Sequence, residues 1–220
     1  MYGHKLRAFT MFELVMVIVV LGILAAMALP RMERDIQQEA ADNVLSAIRY
    51  TQHLALMDNK ENPSSNRWQR ALWQIRFNNY GGDWVYSVWT NADYDNNVDL
   101  LTNEAAIDPA NGKLLHSPDA TMDNGESPNI FLTQNYGITN VTINGCQNQG
   151  PNAPANPGLH IAFDYMGRPH RGVTVGGNRD YRTAITQGTC QLVFTTATGT
   201  FRINIAPETG YAWIQNQNAS

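Results

Sequence analysis

Oxygen-bearing side chains crowd one stretch of the chain, Asp93-Tyr94-Asp95-Asn96-Asn97-Val98-Asp99-Leu100-Leu101-Thr102-Asn103-Glu104. Counted from Asp93, the residues Asp95, Asn97, Asp99 and Glu104 fall at positions 3, 5, 7 and 12. That spacing lets a tight loop fold hard oxygen ligands around Ca2+, with Glu104 binding through both oxygens. An EF-hand needs glycine where this chain has Val98, and no paired helices flank the stretch. Two readings stay open: a single calcium loop in a β domain, with calcium the one candidate cofactor, or a solvated acidic turn. His160, His170 and Arg171 carry groups used in catalysis, but no nucleophile, base and orienting group can be assembled from their spacing. They read as structural or exposed, and the chain reads as non-enzymatic. Trp68, Trp73, Trp84, Trp89 and Trp213 have faces that could stack on sugars, and read instead as core beneath a helix.

The elements that must hold these residues follow from periodicity. Ile36, Ala40, Val44 and Ile48 recur every fourth residue, with Ala41, Leu45 and Ala55 beside them, so one face of a helix ending near Met57 lies on a domain. Pro63 to Asn66 is a linker. Trp68 to Phe77 reads as a helical turn passing into a strand, and Trp84 to Thr90 answers it across the turn Asn78 to Gly82. Asn91 to Pro128 is polar and irregular, a length that is usually functional or ordered by a metal. Strand signals resume at Ile130 to Leu132, Gly137 to Ile143 and Leu159 to Tyr165. A hairpin pairs Cys190 to Thr196 with Thr200 to Ala206, and Tyr211 to Ile214 follows. A helix followed by antiparallel strands gives α+β.

Ahead of this lies Phe9 to Pro30, in which only Glu13 is charged, preceded by the short basic leader MYGHKLRA. As a helix the run before Pro30 is about 31 Å long, close to the hydrocarbon thickness of a bilayer. No small-residue cleavage site follows it, so the segment is expected to be kept. Lys5, Arg7, Ala8-Phe9-Thr10-x-x-Glu13-Leu14, Gly22 to Ala26 and Pro30 together resemble the amino-terminal signature of type IV pilins and pseudopilins. The last third is similar, through Phe163 to Pro169 and Ile205 to Tyr211, to minor pseudopilin H and FimT-like minor pilins.

The resemblance implies a prepilin leader over 1–8, cut by a prepilin peptidase between Ala8 and Phe9, with Phe9 then methylated. The family usually has glycine before the cut, where this chain has Ala8. It implies a membrane-spanning and filament-core helix over 9–30, an amphipathic helix over 31–60 kinked at Pro30, and a β-rich pilin domain over 61–220. The expected fold is therefore α+β, a long amino-terminal helix packed on an antiparallel sheet. Glu13 would neutralise the Phe9 amine of a neighbouring subunit; the plainer alternative is a glutamate at the interface of a single-pass anchor. The implied role is a structural subunit of a type II secretion or type IV pilus filament. Its partners would be other pilin or pseudopilin subunits, the peptidase and, before assembly, inner-membrane lipid. The implied localisation is the bacterial inner membrane, single pass, with the carboxy-terminal domain in the periplasm. A membrane-anchored calcium- or glycan-binding module that never assembles is the alternative.

In an exported chain the two cysteines, Cys146 and Cys190, read as one disulfide, with two buried thiols as the alternative. Such a bridge would stabilise by roughly 4 kcal/mol in the chain-entropy account. The formal charge is −4, and loss of Lys5 and Arg7 with the leader makes it more negative. With no clustered Lys or Arg, and no basic residue after Arg202, nucleic acid is not an expected partner.

Overall fold

Residues 10–94, 104–148, 159–173 and 183–216 are described by the computed structural model, with the side chains of 25–35 and 147–148 outside the described set. Asp95, Asn97 and Asp99, and with them most of the calcium stretch, lie outside the described residues, as do Ala8 and Phe9. Two compact units divide the chain, Met1–Gln38 and Glu39–Ser220.

Helix α1 covers Met11–Met57 and so contributes to both units. In the second unit its buried residues are Ala40, Ala41, Val44, Leu45, Ala47, Ile48, Thr51 and Ala55, the stripe that four-residue spacing places on one face. Burying Val44 and Ile48 is favourable by about 1.5–3 kcal/mol each relative to exposure. Ile36, expected to open that stripe, is 42% exposed. The helix stops at Asp58, whose carboxylate accepts from the Trp73 indole N–H at 3.0 Å and pairs with Lys60.

After a 3-10 turn at Trp68–Ala71, strand β1 (Trp73–Tyr80) forms a hairpin with β2 (Asp83–Trp89) across Gly81-Gly82. Both glycines have positive φ, which this two-residue connection requires. A 3-10 turn at Pro128–Ile130 and the short helix α2 (Leu132–Tyr136) stand where alternation suggests a strand at Ile130 to Leu132. Ser127 caps that turn by accepting from Asn129 N–H, with Pro128 preset for it. Then come β3 (Ile138–Asn144), β4 (Gln147–Asn148), β5 (His160–Phe163) and β6 (Pro169–His170). Last are β7 (Ile185–Gln187), β8 (Cys190–Thr196), β9 (Thr200–Ile205) and β10 (Ala212–Ile214).

These strands form a first sheet in the order β2-β1-β5-β6, a second in the order β10-β9-β8-β3, and a ribbon of β4 with β7. Among the described residues every strand pair is antiparallel. Phe77 of β1 meets Phe194 of β8 edge to face at 5.4 Å, joining the sheets through one core. Phe194 in turn stacks on Phe201 at 4.9 Å.

The α+β expectation is thereby corrected. The described chain is mostly an antiparallel β-sandwich, because β1 pairs with the distant β5, and β3 with β8, so the strands divide into two sheets. The membrane-spanning assignment is corrected as well: among the described residues no helix is long and apolar enough to cross a membrane. The described apolar side chains of α1 run from Met11 to Leu24, about 21 Å of helix against about 30 Å of hydrocarbon. A transmembrane helix over 9–30, and the single-pass inner-membrane localisation built on it, are not supported.

Candidate functional site

The start of α1 has a local chemical logic. Thr10 precedes the helix, and its backbone N–H and its hydroxyl both donate to Glu13 Oε2, at 3.0 and 3.1 Å. Glu13 N–H returns the bond to Thr10 Oγ1 at 3.3 Å. This is a capping box, in which Thr-x-x-Glu satisfies amide donors that the first helical turn leaves without partners. The Thr10 N–H, then the Thr10 hydroxyl, hold the Glu13 carboxyl below the usual carboxylate range, against a smaller opposing effect of burial. Glu13 is therefore an anion at neutral pH, at the end of the helix where the dipole favours one.

Apart from that carboxylate, the described segment Met11 to Leu24 is apolar on every side. Met11, Phe12, Leu14, Val15, Met16, Val17, Ile18, Val19, Val20, Leu21, Ile23 and Leu24 are all exposed. A helix apolar on every side is stable in water only when something covers it. Pro30 lies within α1, among the residues whose side chains are not described.

Of the calcium stretch, Asp93 and Glu104 are described, and the two differ. Asp93 is exposed, whereas Glu104 is wholly buried, its Oε1 accepting from Ala92 N–H at 2.6 Å. Among the described residues no group of three His, Cys, Asp or Glu side chains is placed to hold a metal ion. In the described part of the irregular segment, residues 104–128, Asp108 is a buried hub. Its carboxylate accepts from Ala110 N–H, the Asn111 amide, the Ser127 hydroxyl and the Asn129 amide. The turn signature Asp108-Pro-Ala-Asn111-Gly112 marks such a hub, through an aspartate able to bond the amides that follow it.

Cys146 and Cys190 form the expected disulfide, tying the end of β3 to the start of β8. His160 is buried in β5, and burial, then the nearby Arg76 and Arg171 cations, push its pKa down to about 3. His170 is hydrogen-bonded at both ring nitrogens, to Thr183 Oγ1 at 2.9 Å and Asp164 Oδ2 at 3.2 Å. Hydroxyl, imidazole and carboxylate thus stand in line, an arrangement their spacing does not reveal. All three side chains are buried, and Asp164 also holds the Arg168 guanidinium and the N–H groups of Met166 and Arg168. Burial alone would raise the Asp164 pKa; the bonds from His170 and Arg168 outweigh it and lower the value to about 2. The cluster is a clasp for the turn between β5 and β6.

That turn meets the one between β9 and β10 on a single side chain. Gln52 of α1 donates its amide to Gly167 O at 2.8 Å and to Thr209 O at 2.9 Å. A lone glutamine on the edge of a helix carries no signal of this role, although both turns are visible through Gly167 and Gly210. Trp213, expected in the core, sits half-buried in β10 between the core residues Ala212 and Ile214, so its ring lies on the opposite face of the sheet.

No protein-family model matches the chain, and comparison with curated proteins and with solved structures returns no match either.

Proposed function

We propose that the chain is a non-enzymatic structural subunit of a filament of the type IV pilin or pseudopilin kind, assembled through the apolar segment of α1. The observation that carries this reading is the run Met11 to Leu24: apolar on every side, exposed throughout, and bearing one carboxylate at its start. The corresponding helices of other subunits are the covering surface with matching length and apolarity. Packed together they remove that area from water, at about 25 cal/mol per Å2.

Glu13 gives such a bundle its register. A carboxylate drawn into a dry helix bundle needs a cation, and the amine of Phe9 created by cleavage after Ala8 would supply one. An unpaired buried charge costs several kcal/mol, so a subunit in the wrong register is rejected. The β-sandwich then forms the outer surface of the filament. The intact mass of the protein from its own host, with and without prepilin peptidase, tests the processing step. A product beginning at methylated Phe9 that depends on the peptidase is expected; an unprocessed terminus in both strains contradicts the reading.

A further inference from the structure

Strands β3, β8, β9 and β10 carry a single charged residue among them, Arg202. Phe201, Ile203 and Ile205 of β9, Leu192 and Phe194 of β8, and Ala212 and Ile214 of β10 lie in the core. Alternation therefore puts Trp213, Asn204, Gln191 and Asn144 on the outer face of the second sheet. Register sets them side by side, with Trp213 opposite Asn204, Asn204 opposite Gln191, and Gln191 opposite Asn144. One indole followed by three carboxamides crosses all four strands.

Part of the row is preorganised, through Gln191 and Asn204. Gln191 Nε2 donates to Asn204 Oδ1 at 3.1 Å and to Gln215 Oε1 at 3.0 Å, which fixes both partner amides and leaves their nitrogens as donors. At the indole end Tyr211, which is 54% exposed, stacks on Trp213 with ring centres 5.7 Å apart and planes 18° apart. A flat aromatic platform beside fixed, uncharged donors and acceptors is unlike the surface that binds an anionic polymer, which needs several cations. It matches a sugar ring, whose C–H face stacks on an aromatic ring while its hydroxyls pair with amides.

We propose that this outer face of the second sheet binds a neutral polysaccharide, with Trp213 as the stacking platform, Gln191 and Asn144 as the hydroxyl-reading amides, and Asn204, which is buried, holding Gln191 in place. The proposal rests on this sheet alone and stands or falls separately from the assembly reading. The test titrates the full chain, kept dispersed in a phosphocholine detergent that has no sugar, with neutral gluco-, manno- and chito-oligosaccharides. The readouts are the Trp213 indole N–H resonance and calorimetric affinity. Saturable movement of that resonance by at least one oligosaccharide is expected. Trp213→Ala and, separately, Gln191→Ala each weaken binding by roughly tenfold, with Gln191→Ala still unfolding in one cooperative transition. Gln191→Ala carries the test if Trp213→Ala fails to fold. The absence of binding across the panel overturns the proposal, as does binding that both variants leave intact.

Discussion

The Gln52 amide, donating to Gly167 O and Thr209 O, ties two turns to α1 with one side chain. Replacing it by Ala removes both bonds and leaves two carbonyls without that donor. A loss of about 1–2 kcal/mol in unfolding free energy is expected from denaturant titration. Gly210 is the stricter position. A Cβ there would press on Gly167 O and lie 2.6 Å from Gln52 Nε2, and its φ is +67°. Gly210→Ala should therefore cost about 2 kcal/mol or more, against about 1 kcal/mol where only the backbone conformation is penalised.

Buried titrating residues shape the response to acid: His160 and Asp164, with His116, which burial also pushes down, adding to the His160 window. The folded pKa of His160, about 3, lies below its ordinary value, so its contribution to stability is whole above about pH 6.5. It is lost as the pH falls toward 3, because the unfolded chain takes the proton first. Asp164, at about 2 when folded, contributes above its ordinary value near 4 and loses that contribution between about 4 and 2. Unfolding midpoints in urea should accordingly fall in two stages. His160→Leu should shrink the stage between about pH 6.5 and 4, leaving the His116 share, and Asp164→Asn should flatten the stage below it.

At the scale of elements, α1 does two different things along one helix. In the second unit its spacing is that of a core helix, and the contrast between Ile48 and Ile36 measures this. Ile48→Ala should cost about 2–5 kcal/mol through the cavity it leaves. Ile36→Ala, at an exposed position, should change stability by about 0.5 kcal/mol or less. At its start, Thr10→Ala removes the capping box and about 1 kcal/mol from the first turn, readable as faster amide exchange at Glu13. Both the helix end at Met57 and the β1–β2 and β8–β9 hairpins were legible in the sequence, since each follows from local periodicity and a turn. The pairings of β1 with β5 and of β3 with β8 join segments far apart in sequence, and alternation says which face is buried but not which neighbour is bonded. The stretch Ile130 to Leu132 misled for a related reason. Three apolar residues fit strand and helical turn equally, and Ser127-Pro128 decides between them.

For the whole molecule, the division of labour is between a β-sandwich with its own core and an apolar helical segment that is exposed. The disulfide was legible because a chain with two cysteines, Cys146 and Cys190, has one intrachain pairing to make. The inner face of the second sheet was legible too, but not its outer face, where Trp213 looked like any other core tryptophan until its neighbours in β10 were found buried on both sides. The apolar segment was plain in the sequence, yet its hydropathy did not decide between lipid and other helices as its cover. A photo-reactive residue at Val17, an exposed position within the segment, decides this directly in material extracted from the native host. The account predicts cross-links to the amino-terminal helix of another pilin-type subunit, lost or displaced in register by Glu13→Ala. Cross-links to lipid alone, or none to any protein, would contradict it.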